Sequence, residues 1–217
     1  MHDLGDGCPN VCGWGNNEVI WYQTQNATVA DDFLTIEAKE EMVNGYNHTS
    51  SRIKTQGNQS FQYGRIDIRA KLPYSQSLWP ALWMLGDNIT SVGWPACGEI
   101  DIMELIGGGS NDSVTHGTGH WDNNGHNFIG GSYTLSNGIF ADQFHVFSII
   151  WDATQIQWYV DDNLFYTLDI TDPEMSEFHN PFFFIFNVSV GGNWPGYPDA
   201  TSVFPQTMQV DYVRVFQ

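Results

Sequence analysis

The chain has 217 residues, 41% of them hydrophobic, which is enough for one domain with a substantial core. Seven basic residues stand against 25 acidic ones, a formal net charge of −18 that argues against nucleic-acid and anionic-lipid partners. No apolar run approaches the length of about 18 residues that a transmembrane helix needs, and residues 1–7 lack the apolar segment of a signal peptide.

Short segments of alternating apolar and polar residues predict strands along the whole chain, and no segment has the apolar period of a helix. In residues 65–72, four apolar side chains alternate with charged or polar ones. Asp161-Asp162-Asn163, between two predicted strands, is typical of a hairpin loop. The pattern predicts a single all-β domain, residues 1–217, built as an antiparallel sandwich. The other predicted strands are residues 19–23, 33–38, 144–151, 156–160 and 208–216.

Four longer irregular segments separate these strands: residues 8–17, 88–96, 107–113 and 191–203. Such loops are the expected place for binding residues, because a rigid scaffold fixes their positions. Three of them contain a tryptophan beside Gly, Pro or Asn, namely Trp14, Trp94 and Trp194. Stacking on the apolar face of a sugar ring would explain an exposed tryptophan there, and packing in the core is the alternative.

Three cysteines are present. Cys8 and Cys12 bracket a turn-like stretch, which predicts a short-loop disulfide and an oxidising compartment. A pair of metal thiolates is the alternative, although no second Cys or His pair has zinc-site spacing. Cys97 is expected to be a buried small residue.

Three carboxylates lie within residues 99–104, the segment Glu-Ile-Asp-Ile-Met-Glu. In a regular strand Glu104 would face the core, opposite to Glu99 and Asp101, and burial of an unpaired carboxylate is costly. A β-bulge at Ile102-Met103 would return Glu104 to the face of the other two acids. Paired carboxylates are what glycoside hydrolysis requires, one as nucleophile and one as acid. The alternative is a solvated acidic strand face.

The motifs around these acids resemble glycoside hydrolase family 16, in the bulged form typical of laminarinases. The acidic segment follows Trp-Pro-Ala-Cys-Gly at residues 94–98. The resemblance covers essentially the whole chain and implies a concanavalin-like β-jelly-roll sandwich of two antiparallel sheets with an open concave substrate cleft. Further matching motifs, in the family's order, are residues 13–18, 63–65, 79–85, 116–121, 187–196 and 210–215.

The resemblance also implies roles for individual residues. Glu99 corresponds to the nucleophile, Asp101 to its assisting acid and Glu104 to the general acid/base. Trp94 and Trp194 correspond to sugar platforms on the donor side, which is the part of the cleft that holds the sugar attacked by the nucleophile. The remaining implied substrate-binding residues are Asn16, Glu18, Arg52 and Asn187 on the donor side, and His120 near the leaving group.

Simpler roles remain for some of these residues. Asn187 would also suit a turn cap, and Arg52 would also suit an ion pair. His116 and His120 have the spacing of a metal-binding pair, but no third ligand is evident.

The function implied is that of a secreted, retaining endo-β-1,3-glucanase that acts on uncharged laminarin-type glucan as a monomer and requires no cofactor. One alternative keeps the family and changes the polymer to mixed-linkage β-1,3-1,4-glucan or galactan. The other is a non-catalytic glucan-binding module on the same fold, which fold alone does not exclude. The three intact acids favour the enzyme, because a binding module gains nothing from adjacent like charges.

Two features depart from the family pattern. Family members usually begin with an additional strand that carries Trp-x-Asp-Glu-Phe, and this sequence starts after that position, which predicts an unpaired sheet edge. The family's structural calcium site uses that strand together with a residue that matches Asp211. A calcium ion wants six or more oxygen ligands, which Asp211 alone cannot supply, so the resemblance leaves structural calcium open.

Overall fold

A computed structural model describes all 217 residues as sixteen β-strands with very little helix. The longest helical segment has seven residues, so no helix is long enough to cross a membrane. The helical segments are one α-helical turn, α1 (Ile89–Val92), and four 3₁₀ turns at Cys12–Gly15, Thr24–Asn26, Gly109–Ser113 and Pro173–His179. The strands, in chain order, are β1 (His2–Asp3), β2 (Trp21–Tyr22), β3 (Ala27–Ala30), β4 (Phe33–Val43), β5 (Tyr46–Ser50), β6 (Arg52–Lys54), β7 (Gly64–Lys71), β8 (Leu78–Gly86), β9 (Glu99–Glu104), β10 (Val114–Asp122), β11 (His126–Thr134), β12 (His145–Trp151), β13 (Gln155–Val160), β14 (Asn163–Asp169), β15 (Phe182–Val190) and β16 (Gln206–Phe216).

The strands form two sheets that pack face to face as a jelly-roll sandwich. The first sheet has seven strands in the order β1-β6-β15-β8-β9-β10-β11. The second has the order β14-β13-β12-β7-β16-β4-β5-β2, with β3 paired to β4. All pairings are antiparallel except β2 with β5. The predicted fold class is therefore confirmed, and β9 lies near the middle of the first sheet.

Each of the six segments predicted from alternation contains a strand. The predicted hairpin is also confirmed, because β13 and β14 are joined by only Asp161 and Asp162. Both residues have positive φ, 48° and 62°, the backbone that a two-residue hairpin turn of this hand requires. The strand predicted for residues 33–38 extends to Val43, because backbone pairing with β5 continues past the last alternating residue.

The core lies between the two sheets and contains 33 buried hydrophobic residues. The alternating pattern of the strands places apolar side chains in this core. On β7, Ile66, Ile68 and Ala70 are fully buried, while the charged residues between them face outward. Cys97 is buried, as predicted, in a smaller cluster with Leu85. The predicted disulfide between Cys8 and Cys12 is present.

One edge of the first sheet lies at β6 and the short strand β1. Only the two residues of β1 pair there. Next to this edge an apolar pocket of about 790 Å³ opens between the two sheets. Its lining includes Ile53, Phe184, Phe186 and Val215.

Candidate active site

The three acids converge because β9 contains the predicted bulge. On β10, Thr118 is paired with Asp101 and His116 with Glu104, so two steps on β10 match three steps on β9. The register against β8 shifts at the same place. Ile102 and Met103 absorb the extra residue and both point into the core. Glu104 therefore joins Glu99 and Asp101 on the open face of the sheet.

Burial dominates the protonation of all three acids. Asp101 is 2% exposed, and burial raises its pKa to about 8, against a hydrogen bond with Glu99 that lowers it. Burial and the charge of Asp101 raise the pKa of Glu99 to about 8. The pKa of Glu104 is raised well above its usual value by burial, then by the charges of Asp101 and Glu99. All three shifts therefore favour the protonated forms of these acids.

Two tryptophans donate hydrogen bonds to the outer acids. Trp94 Nε1 donates to Glu99 Oε2 at 2.9 Å, and Trp79 Nε1 donates to Glu104 Oε1 at 2.9 Å. Each bond lowers the pKa of its carboxyl and so partly offsets burial. The two glutamates therefore have separate partners that fix their side chains and tune their ionisation.

A core tryptophan holds the backbone next to the bulge. Trp158, which is fully buried, donates its indole N–H to the carbonyl oxygen of Asp101 at 2.8 Å. Gly117 on β10 lies directly over this ring, and a Cβ there would overlap it. The glycine is therefore required for the close approach of β10 to Trp158.

His120 lies on the β10 side of the triad and faces two of the acids. Its Nε2 is 2.9 Å from Asp101 Oδ2 and 3.8 Å from Glu99 Oε1. Its Nδ1 is 2.8 Å from Nε2 of His126, the first residue of β11. His120 is paired with Glu99 in regular register, and the bulge then places His116 opposite Glu104. The role of His120 near the leaving group stays a prediction.

The predicted sugar platforms stand at opposite ends of the row of acids. Trp94 is 49% exposed and contacts Glu99, whereas Trp194 is 42% exposed and packs edge-on against Trp79 with ring centroids 5.6 Å apart. His116 packs edge-on against Trp194, with ring centroids 5.0 Å apart. Both indole rings are open to solvent, which satisfies the geometric condition for sugar stacking.

Arg52 and Asn187 meet on the other side of the triad, on β6 and β15. The Arg52 guanidinium lies 4.7 Å from the ring centroids of both Trp14 and Trp83, and its Nε donates to Asp3 at 3.1 Å. Trp83 Nε1 in turn donates to Asn187 Oδ1 at 2.8 Å. Asn187 is therefore not a turn cap, since it lies in mid-strand and holds the Trp83 ring.

Glu18 and Asn16 extend this network. Glu18 is 6% exposed and accepts a hydrogen bond of 2.8 Å from the Tyr22 hydroxyl. Burial raises the pKa of Glu18, against the charge of Arg52 and a hydrogen bond from Asn16, which both lower it. Asn187 Nδ2 also reaches the Tyr22 hydroxyl, at 3.4 Å. Four residues predicted to bind substrate are thus connected in one group: Asn16, Glu18, Arg52 and Asn187.

Asp211 lies apart from any cluster of three acidic, histidine or cysteine side chains. It lies on β16 in the second sheet, where its Oδ2 is 2.5 Å from Arg69 Nη1. The only three ligand-type side chains that converge anywhere in the structure are Glu99, Asp101 and His120. A single carboxylate already paired with a cation lacks the oxygen ligands that calcium needs, so these residues do not fit the ion.

Sequence reasoning assigned no role to three residues that the structure places in the site. Trp79 and Trp83 lie on β8, on the same face of the first sheet as the acids. Trp79 donates a hydrogen bond to Glu104, and Trp83 donates one to Asn187. Their four-residue spacing along a strand puts them on one face, which is the signal that was available. His126 gave no comparable signal, because only the β10–β11 pairing brings it to His120.

Comparison with known families gives a match over nearly the whole chain. The profile of "Glycosyl hydrolases family 16" matches residues 15–214. This range includes the three acids and both exposed tryptophans. The disulfide loop begins before it.

Relatives and solved structures agree with this match. The Beta-glucanase of Rhodothermus marinus is 42% identical over 94% of this chain and 76% of that protein. The Clotting factor G alpha subunit of Tachypleus tridentatus is 37% identical over 99% of this chain, which spans only 31% of that protein. The crystal structure of the laminarinase catalytic domain from Thermotoga maritima MSB8 superposes with a TM-score of 0.90 at 44% identity, covering 99% of this chain and 90% of that one.

Proposed function

The chain belongs to glycosyl hydrolases family 16, and we propose that it cleaves internal bonds of laminarin-type β-1,3-glucan with retention of configuration. The observation that carries the proposal is the bulged strand β9, which aligns Glu99, Asp101 and Glu104 on the floor of an open cleft. The similarity to a laminarinase catalytic domain supports the choice of polymer.

In the first step Glu99 attacks the anomeric carbon while Glu104 protonates the glycosidic oxygen that leaves. The surroundings of the two glutamates support this division of roles. Burial and the charges of Asp101 and Glu99 raise the pKa of Glu104 well above its usual value, as suits a general acid, and the hydrogen bond from Trp94 favours the ionised form of Glu99.

In the second step water cleaves the glycosyl-enzyme bond, and Glu104, now ionised, takes a proton from that water. Asp101 assists by its hydrogen bond to Glu99. One proton shared across this hydrogen bond lets Glu99 gain and lose negative charge without a full desolvation cost.

The cleft suits an uncharged sugar polymer. Its walls present the exposed rings of Trp94 and Trp194, and the chain carries a net charge of −18 that would repel sulfated glycans. We expect Arg52 and Trp83 to contact the donor-side sugars directly and Asn187 to position Trp83. We further propose that the protein acts as a secreted monomer, for which the Cys8–Cys12 disulfide gives support.

The test compares reducing ends released from laminarin, lichenan and agarose by the wild type and by Glu99→Gln. We expect release from laminarin by the wild type, and none by the variant. Glu177→Gln is the matched control, since Glu177 is another buried glutamate and lies outside the triad. Proton NMR at early times should show the β-anomer as first product.

Each other outcome has a defined meaning. Release only from lichenan or agarose would support the mechanism and show that the substrate is a polymer other than laminarin. A first product of α-configuration would overturn retention. No release from any polymer by the folded wild type would favour the glucan-binding module.

A further inference from the structure

The outermost strand of the cleft sheet carries an exposed aromatic side chain that the proposed mechanism does not use. Phe128 on β11 is 66% exposed. It is paired directly with His120 on β10, and His120 is paired directly with Glu99 on β9. Directly paired residues share one face of a sheet. Phe128 therefore faces the cleft, in the same row as Glu99.

Phe128 is not an isolated ring. Its centroid lies 5.7 Å from that of His120 and 5.5 Å from that of His126, and both pairs are nearly parallel, at 26° and 25°. His126 in turn lies 4.5 Å from Trp94. An aromatic ledge, formed by His126 and Phe128, thus runs from beside Trp94 to the outer edge of the sheet.

The hairpin before β11 fixes the start of this ledge. Asp122 Oδ1 accepts from the Gly125 amide at 2.9 Å, and Asn127 Nδ2 donates to the carbonyl oxygens of Asn123 and Gly125 at 2.9 and 2.7 Å. The hydrogen bond between His126 and His120 ties the ring to the catalytic strand pair. The ledge is therefore built before substrate arrives, which lowers the entropic cost of binding to it.

The position of Phe128 decides which part of the substrate it would meet. The Arg52 network occupies β6, β15 and β8, on one side of β9. Phe128 lies on the other side, two strands from Glu99, which corresponds to roughly 10 Å across the sheet. A glucan chain held by Arg52 and Trp83 and cut at β9 must continue over β10 and β11.

We propose that Phe128, supported by His126, is a platform for an uncharged sugar residue on the leaving-group side of the cleaved bond. The proposal rests on the proposed function and adds an acceptor-side binding site to it. The exposed phenyl face offers the apolar surface on which the C–H face of a pyranose packs. Energy gained there is available to the transition state of long substrates only.

The test compares two substrates that differ on the leaving-group side. Long laminarioligosaccharides place sugars there, whereas laminaribiosyl fluoride places only fluoride. We expect Phe128→Ala to lower kcat/KM for laminariheptaose roughly 10-fold and to leave that for the fluoride within 2-fold. Phe128→Tyr, which keeps the ring, should restore the oligosaccharide rate.

Ile129→Ala is the matched control. Ile129 is the next residue of β11, is 41% exposed and points to the opposite face of the sheet. Its substitution should change neither substrate's rate. A second readout is transfer of the glycosyl group to added laminaribiose instead of water, which Phe128→Ala should reduce relative to hydrolysis.

Failure of the platform and failure of the proposed function give different results. An equal loss on both substrates, or no loss on either, would overturn the platform while the wild type remains active. A wild type that cleaves neither the fluoride nor the oligosaccharide would overturn the proposed function and the platform together.

Discussion

Trp79 donates its indole N–H to Glu104 Oε1 at 2.9 Å, across the β8–β9 pair. The equivalent bond at the other end of the triad joins Trp94 to Glu99. Each of the two carboxyls that react in the proposed mechanism, the nucleophile and the general acid/base, thus has its own indole donor. These two bonds allow each limb of the pH profile to be assigned to one residue.

We predict that kcat/KM on laminarin is bell-shaped, with an acidic limb far above pH 4.5. The active form requires Glu99 ionised and Glu104 protonated, and the pKa of Glu99 is raised to about 8. Activity should therefore rise as pH approaches 8 and fall only when Glu104 loses its proton. Initial rates between pH 4 and pH 11 check this. An acidic limb near pH 4.5 would contradict it.

Trp79→Phe should move the alkaline limb to higher pH. Loss of the N–H donor removes an interaction that favours ionised Glu104, so its pKa rises further. Trp94→Phe should move the acidic limb upward for the same reason at Glu99. Trp83→Phe is the control, because its N–H binds Asn187 and its loss should move neither limb.

Glu104→Gln should reduce laminarin hydrolysis by about 10²–10⁴-fold, the usual contribution of general acid–base catalysis. The first step on an aryl laminaribioside with a strongly acidic phenol should fall far less, because that leaving group needs no proton. Added azide should then restore turnover and yield a β-glycosyl azide. Equal losses on both substrates would indicate that Glu104 is not the acid.

Glu99→Gln should raise thermal stability, and more at pH 8 than at pH 4. The folded-state pKa of Glu99 lies above its unfolded value of 4.5, so the folded state binds the extra proton. The stability from that proton is fully present below pH 4.5 and is lost as pH rises through about 8. Glutamine does not ionise, so the variant avoids this loss of stability. We expect its Tm to be a few degrees above that of the wild type at pH 8. Calorimetry at both pH values measures the difference, and a gain independent of pH would refute the explanation.

Gly117→Ala should destabilise the fold and impair the site together. The added methyl group meets the ring of Trp158, whose N–H holds the backbone of Asp101. Overpacking of this kind costs about 1–3 kcal/mol. We expect a lower Tm and a reduced kcat with little change in KM. Unaltered Tm and kcat would show that β10 can move away from Trp158 freely.

Local chemistry was enough to predict six of the sixteen strands from alternation, the 161–162 hairpin and the Cys8–Cys12 disulfide. The cost of burying an unpaired Glu104 was enough to predict the bulge at Ile102-Met103, because only one extra residue returns that carboxyl to the open face. These predictions depend on neighbours in the chain. The sequence alone contains all the information that they need.

Strand pairing decided what the sequence could not. Nothing local to His126 or Phe128 indicates that they lie beside His120, since that depends on the register of β10 against β11. Likewise, only the β15–β8 pairing brings Asn187 to Trp83 and shows that its amide oxygen is already occupied. Alternation along a strand fixes which face a side chain takes. Hydrogen-bonded register between strands fixes which side chains meet there, and register is a property of the assembled sheet.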